Sequence, residues 1–140
     1  MQTATLTAAA PTFPTSKAAR WTGRGITGFI ALFLVFDAVV HMLKIAVVVE
    51  AFARLGYSID LAVGLGIVEL ACVALYLIPR TAILGAILLT GYLGGAVATH
   101  VRVGSSLFGE ILFPVYMGIL MWGALYLMDR RVRALVPLRS

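Results

Sequence analysis

Four long apolar runs constrain this chain more than any other feature. They cover residues 26–49, 61–78, 81–101 and 107–128. Each is close to the ~20 residues that a helix needs to cross a hydrocarbon core. The runs are continuous and show no period-two alternation, so they predict helices rather than barrel strands. With 61% hydrophobic and only 12% charged residues in 140, a water-soluble domain of this size could not hide its apolar surface. The expected fold class is all-α: an integral membrane four-helix bundle running up, down, up, down, with one domain over residues 25–130.

The flanking segments set the boundaries. Residues 1–24 are rich in Thr, Ala and Pro and end in Lys17, Arg20, Trp21 and Arg24. They predict a flexible cytoplasmic tail whose last turn lies on the membrane surface, with Trp21 at the interface. No long apolar run precedes a cleavage-like site, so a signal peptide is not expected. Residues 131–140 predict a basic cytoplasmic tail. Spans two and three nearly fuse, but Pro79 lacks a donor and disfavours helix in the residue before it, and Arg80 is costly at mid-membrane. A tight turn at an interface is therefore expected there. Ser58 or Asp60 is the expected N-cap of span two, and Thr81 that of span three.

Charge placement predicts orientation. Lys17, Arg20, Arg24, Arg80, Arg130, Arg131, Arg133 and Arg139 fall on one side, against Arg54 and Arg102 on the other. The first set is expected in the cytoplasm, with both termini. This arrangement also accounts for the +5 net charge without a nucleic-acid partner. Gly91, Gly94 and Gly95 in span three are the expected helix-packing residues. Gly91 and Gly95 form a GxxxG pair, suited to close packing within the bundle or to a homo-oligomer. Pro114 is expected to kink span four.

The polar residues inside the runs carry the functional signal. Asp37, His41 and Lys44 follow an i, i+4, i+7 spacing and share one helical stripe. Span two contributes Glu69, span three Thr99, His100 and Arg102, and span four Glu110 and Tyr116. Helical rise puts Asp37 and Glu69 near mid-membrane and the rest toward the outer face. Together they predict a polar lane opening outward. Intramembrane ionisable groups mark functional sites by default, although paired ones also serve as helix glue. Glu69 has no partner in its own span and must find Lys44, a histidine or water, or stay neutral.

Several chemistries are set aside. Cys72 is the single cysteine, so dithiol chemistry is absent and the residue reads as a packing thiol. No Walker motif, HExxH, nucleophile elbow or dinucleotide fingerprint occurs, and no metal site is assigned. His41 and His100 lie on different helices at similar depth, as bis-histidine ligation of haem b requires, but without a paired-histidine signature.

The chain resembles the DoxX-like family of small four-helix membrane proteins from Phe36 to Pro137. The resemblance is carried by Phe36-Asp37, Leu55-Gly56-Tyr57 and Ile78-Pro79-Arg80-Thr81, with Phe113-Pro114 and Asp129-Arg130 near the end. Its most specific part is the string Leu89-Thr90-Gly91-Tyr92-Leu93-Gly94-Gly95-Ala96-Val97-Ala98-Thr99-His100-Val101-Arg102. In the most similar relatives a lysine often stands four residues after the aspartate; His41 stands there in this chain. The resemblance implies a four-helix bundle associated with membrane redox systems. Some relatives are linked to thiosulfate:quinone oxidoreductase activity and others to complexes coping with oxidative stress. The positions matching the motif are Asp37, Thr99, His100 and Arg102.

The leading expectation is a bacterial-type inner-membrane subunit that binds a lipophilic redox partner such as quinone. Its candidate ligand-binding or proton-exchange residues are Asp37, His41, Lys44, Glu69, Thr99, His100 and Arg102. Electrons would come from other membrane or soluble redox subunits. The alternatives are a non-catalytic scaffold, with Arg130, Arg131 and Arg133 as a docking face, and a carrier of a small hydrophobic solute.

Overall fold

The structure, a computed structural model, describes residues 16–135. The first 15 residues of the expected N-terminal tail, and Arg139 in the C-terminal one, lie outside the described residues. Six α-helices follow in order: α1 (Lys17–Leu43), α2 (Ala46–Leu55), α3 (Leu61–Leu77), α4 (Ala82–Arg102), α5 (Phe113–Met128) and α6 (Arg130–Leu135). A single π-helical turn, Leu107–Ile111, precedes α5. The described residues contain no strand.

Helix α1 departs from expectation at both ends. It starts at Lys17, so residues 17–24 are its first two turns rather than tail. The reason is a cap: the Ser16 hydroxyl accepts a bond from the Ala19 amide at 3.1 Å, satisfying a donor that the first turn leaves free. At the other end the helix stops at Leu43 instead of continuing to residue 49. Lys44 takes a left-handed conformation, φ 48°, and its amide closes on the His41 carbonyl. The chain then re-enters helix as the short α2, which ends at Gly56, φ 72°. There the Gly56 and Tyr57 amides return to the Ala53 and Phe52 carbonyls, a left-handed closure that glycine accepts readily.

The Pro79 turn has the form expected of it. Helix α3 ends at Leu77, and Ile78 is extended at φ −84°, ψ 119°, as a residue before proline must be. Thr81 stands at the N-cap of α4 but makes no side-chain cap bond. Its hydroxyl instead donates back to the Leu75 carbonyl at 2.8 Å, satisfying an acceptor at the end of α3. Asp60 likewise precedes α3 without capping it; its carboxylate turns to Lys44 and Ser58. Pro114 does not kink a helix. It lies in the first turn of α5, where its missing donor costs nothing, and the irregular backbone falls before it in the π-turn.

Helices α1, α3, α4 and α5 pack in a cycle: α1 on α3, α3 on α4, α4 on α5, and α5 back on α1. Ile30 and Leu34, Val73, Leu89 and Met121 form the centre of the main core, all at most 3% exposed. The exterior is apolar too. Leu32, Phe36, Ile87 and Ile119 are each more than half exposed, an arrangement for which lipid is the natural solvent. Three segments are long and apolar enough to cross a membrane: Lys17–Leu43, Ala82–Arg102 and Leu107–Met128. Helix α3 is as apolar but has 17 residues.

Close helix approach occurs at Gly85, one of the glycines that make span three suited to tight packing, and at Gly66 in α3, but not at the GxxxG pair. A Cβ on Gly85 would run into the backbone of Tyr76 and Leu75, and one on Gly66 would lie 2.7 Å from the Ala38 carbonyl oxygen. Gly91, Gly94 and Gly95 meet nothing within 4 Å, so within the chain they pack no helix. Replacing Gly85 with leucine is expected to destabilise the protein by about 2 kcal/mol through overpacking. Melting curves in detergent should show a fall of roughly 5 °C, whereas Gly94→Ala should leave the curve unchanged.

Candidate functional site

The site begins with the contact that Gly66 permits. With no side chain there, α3 lies directly on the Ala38 turn of α1. Asp37 is the residue before Ala38, His41 is three residues after it, and Glu69 is three residues after Gly66. The approach brings one ligand atom each from Asp37, His41 and Glu69 within 4.8 Å of one another.

Glu69 is fully buried, at 0% exposure. Tyr92, at the middle of α4, donates its hydroxyl to Glu69 Oε2 at 3.0 Å. Oε1 has no partner among the described residues. A buried, half-satisfied carboxylate is costly and therefore calls for an explanation. His41 Nδ1 lies 2.8 Å from the Asp37 carbonyl oxygen and 3.3 Å from Asp37 Oδ2. A carbonyl only accepts, so Nδ1 carries a proton and Nε2 is the acceptor of the neutral ring. The edge-on Phe52 ring, with its centroid 5.7 Å away, holds the imidazole from the side of α2.

These groups lie in a half-open cavity of about 850 Å³, within the size range of small-molecule sites. Phe33, Leu34, Leu65, Val68, Phe113 and Met117 make most of its wall apolar, while Asp37, His41, Asp60, Glu69, Thr99, His100 and Glu110, with Tyr57 and Tyr92, supply the polar positions. Gly91 and Gly95 also line it; their missing side chains widen the cavity rather than bind a helix. His100 Nδ1 is 3.0 Å from the Ser105 hydroxyl, and Thr99 is 3.2 Å from the Tyr57 hydroxyl.

The cavity rim is tied by ion pairs and caps. Arg54 of α2 pairs with Glu110 of the π-turn. Glu110 also accepts the Ser106 amide at 3.0 Å while the Ser106 hydroxyl accepts the Gly109 amide, a reciprocal cap like a capping box. Arg102 donates to the Leu55 carbonyl and lies over the Tyr57 ring at 5.4 Å. It fastens α4 to the end of α2 and does not line the cavity.

Besides Arg102, two residues leave the expected lane. Lys44 breaks the stripe because α1 ends there; its ammonium reaches Asp60, 3.4 Å away and outside the cluster. Tyr116 is 44% exposed and off the cavity wall. Conversely, sequence reasoning missed Tyr92, Tyr57 and Phe52. Tyr92 had a usable signal: it is the central residue of its span, at the depth inferred for Glu69. Phe52 had none, because the turn that folds α2 back was not foreseen. The Asp37, His41 and Glu69 cluster has the donor set and spacing to hold a metal ion, or to pass protons to a ligand in the cavity.

A polytopic helical membrane protein, with ionisable groups gathered at the floor of an apolar cavity, is the class that this architecture defines. The chain belongs to the DoxX-like family, whose model matches residues 25–124. No curated protein and no solved structure matches it.

Removing the only donor to Glu69 among the described residues tests the site's energetics. Tyr92→Phe is expected to destabilise the protein by about 1–3 kcal/mol, the cost of an unpaired buried acceptor. Adding Glu69→Leu should recover most of that loss, because both partners are then apolar. Melting curves of the single and double variants read the difference.

Proposed function

We propose that this protein is a membrane subunit that binds a quinone-class redox molecule, with the ring carbonyl directed at Asp37, His41 and Glu69. The observation that carries the reading is the orphaned Glu69 oxygen: a fully buried carboxyl oxygen that, when protonated, donates to a ring carbonyl, beside a histidine and a second carboxylate, in a cavity with mostly apolar walls. Such a combination suits a ligand with an apolar body and one polar end. Reduction of a quinone consumes two electrons and two protons. The three side chains provide a local proton source, and a partner oxidoreductase provides the electrons.

The membrane arrangement belongs to the same reading. The four helices of the cycle run up, down, up and down, with both termini in the cytoplasm and the cavity opening toward the outer face of a bacterial-type inner membrane. The basic residues divide eight to three, with Lys44 joining Arg54 and Arg102 at the outer end, and this supports that orientation. Reporter fusions at Ser140 and within residues 103–106 should report opposite compartments.

Isosteric variants separate a proton-exchanging site from helix glue. Asp37→Asn and Glu69→Gln keep shape and hydrogen-bonding capacity but cannot act as acids or bases near neutral pH. Each is expected to melt within about 2 °C of wild type and to lose quinone from the detergent-purified protein, measured by solvent extraction and mass spectrometry. Full retention in Asp37→Asn would leave the cluster as a register-fixing network. A stoichiometric transition metal that disappears in Glu69→Gln would replace quinone with a metal centre.

A further inference from the structure

The opposite end of the helix cycle holds a second cavity, of about 770 Å³. It is lined by four arginines: Arg20 and Arg24 from the start of α1, and Arg130 and Arg131 from α6. All four are exposed. None has a carboxylate within ion-pair distance among the described residues. The chain has only six acidic residues, and five of them, Asp37, Glu50, Asp60, Glu69 and Glu110, lie outside this cavity. The sixth, Asp129, lies in this cavity but is engaged, its Oδ1 accepting the Arg131 amide at 2.8 Å.

The floor between these arginines is apolar, made by Leu77, Ala82, Leu125 and Met128. Next to it, Trp21 is 70% exposed and carries the Arg24 guanidinium 5.5 Å from its ring centroid. An exposed tryptophan at the end of a membrane helix marks the headgroup level. Orientation requires only that basic residues lie on one side of the membrane. It does not require residues from two distant segments to meet around one apolar-floored cavity.

We propose that this cavity is a binding site for an anionic phospholipid, with the phosphate held by Arg20, Arg24, Arg130 and Arg131 and the first acyl carbons against the apolar floor. Guanidinium forks match phosphate oxygens, and basic pockets between membrane helices hold anionic headgroups in this way. A free phosphate would use the arginines but not the floor. The site is independent of the quinone reading and of the direction in which the chain inserts.

The full chain in neutral detergent tests this. Phosphatidylglycerol is expected to raise the melting temperature and to remain bound in native mass spectrometry, while phosphatidylcholine and inorganic phosphate at equal concentration do neither. Arg20→Gln with Arg24→Gln should weaken phosphatidylglycerol binding about tenfold or more. Arg130→Gln with Arg131→Gln should do the same from a different helix, so misfolding of one pair leaves the other decisive. Lys17→Gln with Arg80→Gln removes equal charge from the same end outside the cavity and should change binding less than twofold. Equal losses in the control and arginine pairs would overturn the site in favour of diffuse attraction. Equal stabilisation by inorganic phosphate would reduce it to an anion site, and equal retention of phosphatidylcholine would remove the role of charge.

Discussion

The contact of Gly66 with the Ala38 turn underlies the site. Apolar helices in lipid gain little from the hydrophobic effect on meeting one another, so close packing and polar contacts must decide their partners. At this crossing both operate together. The glycine lets α3 touch the backbone of α1, and the same approach delivers Glu69 to Asp37 and His41. Tyr92 then ties α4 to Glu69. Three helices are thereby joined through one buried carboxylate, and the carboxylate remains only half satisfied. A cluster serving adhesion alone would be expected to close its last hydrogen bond.

The two ends of the molecule have different chemistry. One is built from α2, the π-turn and the end of α4, and holds Glu50, Asp60 and Glu110, with Asp37 and Glu69 deeper in the bundle. The other holds arginines with few acids to answer them. The acidic end is stitched internally by Arg54 with Glu110, Lys44 with Asp60, and Arg102 with the Leu55 carbonyl. Such exposed pairs contribute little stability individually. Their effect here is geometric: they hold a short helix, α2, beside the cavity so that Phe52 and Leu55 complete its wall.

The glycines of α4 illustrate how one residue type can serve opposite ends. Gly85 is needed because Tyr76 packs against it across the Pro79 turn. Gly91 and Gly95, two turns on, face open space and enlarge the cavity. A GxxxG pair shows that a backbone is accessible; it does not say what occupies the space.

By itself the sequence determined the membrane class, the family, the turn at Pro79 and the identity of the ionisable residues, including Asp37, His41 and Glu69. These follow from local or one-dimensional rules: run length against bilayer thickness, the effect of proline on its neighbour, and the cost of charge in lipid. Only the tertiary structure decided which polar residues meet. Lys44 left the stripe because one left-handed residue ended α1, and Tyr92 joined the site because α4 packs beside α3. The periodicity of a single helix assigns a face and a depth, but the rotation of neighbouring helices is set by close contacts such as Gly66 on Ala38 and Gly85 on Tyr76. Those contacts depend on residues far apart in the chain, and no local pattern records them.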